Sequence, residues 1–381
     1  MKKAARKGLC AALAAVMMLS SASCGSKKIE GGLIDEIGKS TTSAESAEPA
    51  ATEAPADEAE PAETTKKKKK EKAAVKENFN QLTGLYDVAD SAAGKRPCAV
   101  MVNNIEASLP QYGIYKADII LEAVAEGGIT RLMAVYADES DIPNVCSVRS
   151  ARYYYMLFAQ AFDAVYLHWG GDKLVCYPMM EELSIDHIDG MNNTDIFDRD
   201  YDRMEYMDYE HTGYLNGSQV MGEITALGIR QTIKDGYERI FSFYDEFTKP
   251  SGDDCTQATL RFSDWYYSEF DYDKKSKTYK KLHNGSEHMD QAEGKQLEFT
   301  NLLVLEVPEI KEIRPDESLI VGFDTDGGSG YLVTAGKVQR ISWSKQGDFS
   351  KLTLTDESGS EVRLNTGKTY IGIVQTGGAA F

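Results

Sequence analysis

The sequence of 381 residues has few of the side chains that build metal centres. It contains six cysteines and five histidines, and no two cysteines stand in a Cys-x-x-Cys pair. Structural zinc sites need four ligands, which sequences usually supply as close-spaced pairs of cysteine and histidine. The sequence therefore predicts no metal centre, and no motif in it indicates a cofactor.

Two common catalytic motifs are also missing. The chain has no Gly-x-Ser-x-Gly string, which would mark the nucleophile turn of a serine hydrolase. Thr366-Gly-Lys-Thr369 ends like a phosphate-binding loop, but Val362 stands where that loop needs its first glycine. The sequence therefore offers neither the serine nucleophile nor the nucleotide loop of these enzyme classes.

The beginning of the chain has the features of an export signal. Basic residues lie in Met1–Lys7, an apolar run extends from Leu9 to Leu19, and small residues then lead to Cys24. This run is too short for a permanent membrane-spanning helix, and a cysteine that follows the cleavage point can be acylated. We expect residues 1–23 to be a signal peptide and Cys24 to carry a fatty acid such as palmitate. Secretion after a cut at Ser23, without lipid, is the alternative.

Residues 24–78 have the composition of a flexible tether. They are rich in Ala, Glu, Ser, Thr and Pro, and they contain no aromatic side chain. Such a segment cannot bury enough apolar surface to fold, so we expect it to hold a folded body away from the membrane. The run Lys66–Lys70 would then contact anionic lipid or polymer, or remain a solvated block of charge, which is the simpler interpretation.

The folded remainder is strongly acidic. The first 79 residues contain 14 basic and 12 acidic side chains, which leaves 28 basic and 48 acidic side chains and a net charge of −20. A body with this charge repels nucleic acids, so we expect no nucleic-acid partner. An anionic ligand would have to be bound by a local pocket, because the overall field does not attract it.

Hydrophobic patterns after residue 78 predict an α+β protein. Short apolar runs between residues 98 and 169 read as strands, and Ser150–Asp163 reads as a helix with one apolar stripe. This pattern predicts an α/β sandwich with a mixed sheet over residues 79–250. From residue 251 to 381 the helical period disappears and short runs alternate with Gly, Asn and Asp, which predicts a smaller all-β C-terminal domain, a barrel or a sandwich.

Four cysteines would remain in the mature folded part. Cys98, Cys146 and Cys176 lie in apolar or mixed surroundings, and Cys255 follows an acidic turn. We expect them to be free and buried, as is typical of inert core thiols. Export also permits two disulfides, whose pairing the sequence does not determine.

Several strings resemble the YerB-type lipoproteins, a bacterial family of unknown biochemical function with an N-terminal and a C-terminal domain. The resemblance extends from Thr83 to Val374 and implies an anchored envelope protein, without implying a reaction. The strings that carry it are Glu126-Gly-Gly-Ile-Thr-Arg131, Ser147-Val-Arg-Ser-Ala-Arg152, Leu167-His-Trp-Gly-Gly171, Glu210-His-Thr212 and Leu364-Asn-Thr-Gly-Lys-Thr-Tyr370.

The opening of the predicted helix is the main candidate ligand site. Ser150 is placed to cap the first turn, and Arg149 and Arg152 project from the same, electropositive end. Backbone donors, a hydroxyl and two guanidinium groups together match a phosphate, a pyrophosphate or a carboxylate. Alternatively, the arginines form structural ion pairs, for which the sequence offers Glu122, Glu126 and Asp163 as partners. Arg131 and Glu126 of the family-like string complete the group of candidates.

Two histidines are further candidates. His168 ends an apolar strand before Gly170 and Gly171, where ligands collect in α/β sheets, so its ring could lie at the mouth of a pocket. A hydrogen-bonded structural histidine is the commoner case. His211, next to Glu210, could supply a second imidazole for proton transfer. A third metal ligand at a readable spacing is missing, so we predict no metal here.

Two functions from different classes fit these features. In the first, the protein is a membrane-tethered module that binds an anionic cell-envelope ligand or a partner protein. In the second, it is an envelope enzyme acting on phosphate-linked glycan or lipid, in which Arg149 and Arg152 hold charge and His168 or His211 moves protons. The missing nucleophile favours binding.

Overall fold

The structure is a computed structural model that describes residues 78–193, 195–313 and 320–381. The predicted signal peptide, Cys24 and Lys66–Lys70 lie outside these residues. Within the described ranges, none of the helices combines the length and the apolar character that a membrane crossing requires. Cys98, Cys146, Cys176 and Cys255 are buried and free, so the prediction of inert core thiols is confirmed.

The first part of the described chain combines helices and strands. The helices are α1 (Tyr153–Ala161), α2 (Cys176–Glu182) and α3 (Val220–Ala226). The strands are β1 (Cys98–Asn103), β2 (Ile119–Val124), β3 (Thr130–Tyr136), β4 (Val145–Cys146), β5 (Val165–His168), β6 (His187–Asp189), β7 (Phe197–Arg199), β8 (Gly213–Leu215), β9 (Ser242–Phe243) and β10 (Asp253–Asp254).

The second part, over the described residues from 255 onward, consists of strands and contains no helix. The strands are β11 (Gln257–Arg261), β12 (Tyr267–Asp273), β13 (Thr278–His283), β14 (Ser286–Glu287), β15 (Met289–Asp290), β16 (Lys295–Gln296), β17 (Glu298–Phe299), β18 (Asn301–Val307), β19 (Ile310–Ile313), β20 (Ile320–Phe323), β21 (Gly327–Thr334), β22 (Lys337–Ser344), β23 (Thr353–Asp356), β24 (Arg363–Leu364), β25 (Thr369–Gln375) and β26 (Ala379–Ala380).

A mixed sheet of eleven strands crosses both parts. Its order is β10-β22-β21-β18-β25-β2-β3-β1-β5-β6, and β23 pairs with β22. The junction is the parallel pair of β2 and β25, in which Ile119 lies opposite Thr369 and Ala123 opposite Ile373. Six consecutive buried residues in β2 explain why this strand is central, since both of its faces and both of its edges are covered.

The large sheet separates two hydrophobic cores. Helix α1 packs in one of them, together with Phe323 and Trp343 from the second part. The other core contains Phe270 and Tyr279 from a second sheet, in which β14, β13, β12, β11 and β26 follow one another and β17 pairs with β13. The mixed sheet, the helices of the first part and the strands of the second confirm the predicted α+β class.

Helix α1 differs from the prediction at both ends and in its burial. It begins at Tyr153 instead of Ser150, because Ala151 is held in an extended conformation by a 2.8 Å hydrogen bond to the carbonyl of Gly170. The prediction that Ser150 caps the helix was therefore wrong, since Arg152 occupies the cap position and makes no side-chain cap. All nine helical residues are buried, whereas the sequence predicted the burial of one stripe. Residues of the second part, among them Phe323 and Trp343, cover the outer side of the helix.

Candidate functional site

The predicted arginines meet at one edge of the large sheet. Strands β1 and β5 run parallel and end there at Asn103 and His168, and β2 ends beside them because it shares the neighbour β3 with β1. Segment 147–151 is threaded between these strand ends: the amide of Arg149 bonds to the carbonyl of Met101. Ligands of α/β sheets collect at such edges, where neighbouring strands end together.

We define the sheet-edge site by six side chains that this arrangement brings together, four guanidinium groups and two carboxylates. They are Glu126, Arg131, Arg149, Arg152, Arg199 and Glu210.

Glu126 is held between two arginines. Its two carboxylate oxygens accept hydrogen bonds of 2.5 Å from Nε and Nη2 of Arg152, and Nη2 of Arg131 lies 3.6 Å away. Burial acts to raise the pKa of Glu126, but the hydrogen bonds and charge of Arg152 outweigh it and hold the pKa below its usual range. The structural ion pair that the sequence left open for Arg152 is therefore present, with Glu126 as the partner.

Arg131 is the most deeply buried cation of the site. Burial, reinforced by the charge of Arg152, lowers the pKa of Arg131 to about 10. Its Nη1 donates a hydrogen bond of 2.7 Å to the carbonyl of Ser150. Ser150 therefore contributes to this site through its backbone carbonyl, which orients Arg131, and not through the predicted hydroxyl group.

Arg149 and the two secondary candidates lie together as well. Nη1 and Nη2 of Arg149 donate to the backbone carbonyl and the carboxylate of Glu210, at 2.9 and 3.1 Å. The ring of His211 is buried, and its Nδ1 lies 3.1 Å from the side-chain nitrogen Nδ2 of Asn103. Burial lowers the pKa of His211, which therefore is a neutral acceptor from Asn103 at pH 7.

Arg199 belongs to this site although sequence reasoning missed it. Its guanidinium carbon lies 4.1 Å from the ring centre of Trp169 and 4.0 Å from that of Tyr209. Nη1 also donates a 3.0 Å hydrogen bond to the carbonyl of Tyr209. The two aromatic rings fix the orientation of the guanidinium plane of Arg199. In the sequence, Trp169 beside the candidate His168 was the one feature that could have indicated an arginine here.

Three guanidinium groups of the site have an unused donor. The Nε atoms of Arg131, Arg149 and Arg199 are buried, and none has a hydrogen-bond partner among the described residues. Four guanidinium groups are balanced here by the carboxylates of Glu126 and Glu210 alone among the observed ion pairs. Buried donors without partners mark places that water or an ion would fill.

His168 differs from the expectation of a residue at a pocket mouth. Its ring is fully buried; Nδ1 lies 2.8 Å from the carbonyl of Gly170 and Nε2 lies 3.0 Å from Nδ1 of His187. Burial lowers the pKa of His168 to about 4, although the charge of Asp189 opposes this shift. With both nitrogens occupied, the ring is a neutral structural group that connects β5 to β6.

A second polar cluster, which the sequence did not predict, joins the two sheets. One carboxylate oxygen of Glu122 accepts from Asn104 at 3.0 Å and Thr130 at 2.8 Å. The other accepts from Ser268 at 2.9 Å and from Tyr370 at 2.7 Å, and Nζ of Lys281 lies 3.4 Å from it. All these groups are buried, so this cluster stabilises the contact between the sheets rather than an open pocket.

Lys281 extends this cluster through two further side chains. Its ammonium donates to Nδ1 of His288 at 2.9 Å, and Nε2 of His288 lies 2.9 Å from the side-chain oxygen of Gln111. Burial lowers the pKa of Lys281, and the charge of Glu122 opposes this shift. Burial and the neighbouring Lys281 lower the pKa of His283 to about 4. No short-range pattern pointed to this cluster, because Glu122 lies 146 residues before Ser268 and 248 residues before Tyr370 along the chain.

Metal ligands are not grouped anywhere in the described parts of the chain, where no cluster of three or more His, Cys, Asp or Glu side chains is arranged to hold an ion. Glu210 and His211 contribute one possible ligand each and are turned toward Arg149 and Asn103.

Comparison with known proteins identifies the family. Residues 82–230 match the N-terminal domain, and residues 258–371 the C-terminal domain, of the protein family of unknown function DUF3048. The chain belongs to the YerB-type family. It is 29% identical to the "Putative lipoprotein YerB" of Bacillus subtilis (strain 168) over 298 residues, which are 77% of this chain and 85% of that protein.

A solved relative supports the fold of this YerB-type chain. The crystal structure of the YerB protein from Bacillus subtilis superposes with a TM-score of 0.66 at 25% identity, and it covers 79% of this chain and 98% of that one. All six side chains of the sheet-edge site lie in the match to the N-terminal domain. Lys281, His288 and Tyr370 of the buried cluster lie in the match to the C-terminal domain.

Proposed function

We propose that this protein is a lipid-anchored module on the extracytoplasmic face of the membrane, and that its sheet-edge site binds an anionic cell-envelope ligand. The lipoprotein description of the Bacillus subtilis relative supports the anchor, as does the position of Cys24 after the predicted signal peptide. The tether over residues 24–78 would let the folded body reach its ligand at a distance from the membrane.

The observation that carries this proposal is the set of unused donors on Arg131, Arg149 and Arg199. Each buried N–H group without a partner costs about 1–3 kcal/mol, so three at one edge are a substantial cost unless a ligand or water accepts from them. The folded body has a net charge of −20, so a cluster of four guanidinium groups is not explained by its overall composition. A bound anion would explain it. A phosphate or carboxylate oxygen fits these donors and the excess positive charge.

The arginine partners divide the predicted residues into two roles. Arg152 donates to Glu126 through Nε and Nη2 and to the carbonyl of Ala151 through Nη1, so its guanidinium is already used inside the protein. Arg149 is only half-buried, and its partner Glu210 is 61% exposed, so a ligand can compete for this guanidinium. Arg149 and Arg199 are therefore the residues that we assign to the ligand, with Arg131 behind them.

A partner protein is the second candidate for this surface. Tyr201, Tyr206 and Tyr209 follow one another along the loop that carries Glu210, and each is at least 60% exposed. Tyrosine and arginine are enriched at the centres of protein interfaces, because they combine apolar area with a polar end. This surface lies beside the sheet-edge site, so a ligand attached to a protein could use both.

The enzymatic alternative has less support in the geometry. It requires a base that reaches a bound ligand, and the ring nitrogens of His168 are both occupied inside the protein. His211 is also buried and accepts from Asn103. Burial lowers the pKa of both imidazoles, which makes them weaker bases.

Calorimetric titration of the purified chain with pyrophosphate and with a glycerol phosphate oligomer tests the proposal. We expect binding of at least one of them to weaken about tenfold or more in Arg149→Gln and in Arg199→Gln, the scale of one charged hydrogen bond. Arg261→Gln, an arginine on β11 outside the site, is the matched control and should bind like the wild type. Absence of wild-type binding to both probes, or equal binding by all variants, would contradict the proposal.

A further inference from the structure

The structure contains a cleft of about 500 Å³. Three segments line it, residues 79–86, 239–245 and 363–366. Sites of roughly 300–1,000 Å³ are the usual size for small-molecule ligands. This cleft shares no residue with the sheet-edge site and is independent of the function proposed there.

Backbone contacts hold the three segments in place. Strands β9 and β24 pair in parallel, and the amide of Tyr244 donates to the carbonyl of Leu364 at 2.9 Å. The amide of Gly367 donates to the carbonyl of Thr83 at 2.8 Å. Gly84 packs so closely that a Cβ atom there would lie 2.5 Å from the ring of Phe243, and its φ of +74° is one that glycine tolerates. The cleft is therefore preformed, which lowers the entropic cost of binding.

Two arginines in the cleft have no carboxylate partner. Arg239 and Arg363 are exposed, and within the described ranges their guanidinium groups form neither a salt bridge nor a hydrogen bond, so a ligand can reach both. Arg239 instead lies 4.6 Å from the ring centre of Phe79. Asp245 is the single carboxylate among the residues that line the cleft. The cleft thus carries a positive charge in a body of net charge −20, and it can hold an anionic group through two planar guanidinium forks.

Aromatic rings supply the rest of the lining. Phe79 and Tyr86 meet edge to face with ring centres 5.3 Å apart, and Phe243 and Tyr244 lie in the same lining. Such rings offer flat apolar surfaces, while Ser242 and Thr366 add hydroxyl groups beside them. A ligand that matches this lining has a ring with an apolar face, several hydroxyl groups and a negative charge.

We infer that this cleft binds an anionic saccharide, a sugar that carries a carboxylate or a phosphate. The exposed ring of Tyr86 contacts the apolar face of the sugar ring, the hydroxyl groups of the protein pair with those of the sugar, and Arg239 and Arg363 bind the anionic group. The ring of Phe79 lies against the guanidinium of Arg239 and orients it. A lipid tail does not fit, because it would leave both guanidinium groups and both hydroxyl groups without partners.

Calorimetry on the full mature chain tests this inference with four probes. Trigalacturonate and glucose 1-phosphate carry the two kinds of anionic group, maltotriose is neutral, and inorganic phosphate lacks a ring. We expect at least one acidic sugar to bind at least tenfold more tightly than maltotriose and inorganic phosphate. Arg239→Gln and Arg363→Gln should each weaken that binding about tenfold. Phe79→Leu, which removes a ring but keeps apolar volume, should weaken it as well.

Two controls separate this site from general effects. Arg340→Gln removes an exposed arginine on β22 that does not line the cleft, and Arg149→Gln alters the sheet-edge site. Both should bind the acidic sugar like the wild type, and thermal melts should show that all variants are folded. The inference is overturned if neither acidic sugar binds, if inorganic phosphate binds as tightly, or if Arg239→Gln and Arg363→Gln leave the affinity unchanged. Loss of binding in Arg149→Gln alone would place the sugar at the sheet edge and also overturn it.

Discussion

Nε and Nη2 of Arg152 each lie 2.5 Å from a carboxylate oxygen of Glu126, so the cation and the anion meet in a two-pronged pair where the sheet ends. The pair is mostly buried, with side-chain exposures of 11% and 17%. Its geometry divides the arginines of the site into one that stabilises the fold and others that remain available to a ligand.

Removal of this cation should destabilise the protein. Arg152→Gln leaves the carboxylate of Glu126 buried beside Arg131 alone, and we expect a loss of about 3 kcal/mol in the free energy of unfolding. Arg149→Gln, which breaks a pair with the exposed Glu210, should cost less than about 1 kcal/mol. Urea unfolding of both variants measures the contrast. Equal stabilities would show that the Arg152 pair contributes no more than a surface pair.

The stability of the protein should depend on the buried charge pair of Lys281 and Glu122 between the two sheets. Lys281→Met removes the buried ammonium and strands the carboxylate of Glu122, so we expect a loss of about 3–5 kcal/mol. The double variant Lys281→Met, Glu122→Gln removes both charges and should regain a substantial part of that loss. A double-mutant cycle by chemical unfolding gives the coupling between them. Strictly additive losses would mean that the two charges do not stabilise each other.

Acid should weaken the protein through its buried histidines. The pKa of His283 is about 4 in the folded state because of burial and the charge of Lys281, and about 6.5 in an unfolded chain. The unfolded chain therefore binds more protons, so this contribution is complete above about pH 6.5 and is lost as the pH falls toward 4. Between these values one such histidine changes stability by at most about 1.4 kcal/mol per pH unit.

His283→Phe tests this titration directly. The variant keeps a ring beside Tyr266 and removes the ionisable group, so its stability should fall less steeply between pH 6.5 and 4 than that of the wild type. His168, whose pKa is also about 4, adds to the remaining slope, and Asp118, whose pKa burial raises to about 6, opposes it. Unfolding curves at half-unit steps of pH give both slopes. Identical slopes would show that His283 does not titrate between the two states.

The proposed membrane anchor is tested at the cysteine that follows the predicted signal peptide. Cys24→Ser should abolish incorporation of labelled palmitate and release the protein from the membrane fraction. Cys98→Ser, at a buried thiol of β1, is the matched control and should still be labelled. A Cys24→Ser protein that stays on the membrane would show that a hydrophobic partner holds it there instead.

Local patterns in the sequence determined the positions of the central strands, the α+β class and the presence of α1. Runs such as Cys98–Asn103 and Ile119–Val124 are entirely buried, and apolar side chains in consecutive positions indicate that before any contact is known. The sequence also indicated the group of Glu126, Arg131, Arg149 and Arg152 as candidate site residues. All four lie within residues 126–152, in segments at or next to the ends of strands. Local pattern failed at Ser150, the expected cap residue, because the next residue, Ala151, lies in extended backbone and its amide donates to the carbonyl of Gly170.

Tertiary structure alone decided which distant groups meet. Pairing of β2 with β25 joins residues about 250 positions apart, and no periodicity specifies a partner at that distance. It also brings Tyr370 to Glu122 and lets the second sheet supply Ser268 and Lys281. The cleft at Arg239 and Arg363 arises in the same way, from three segments that are separated in sequence. The physical reason is that burial and charge pairing act between surfaces, whereas sequence patterns report only neighbours along the chain.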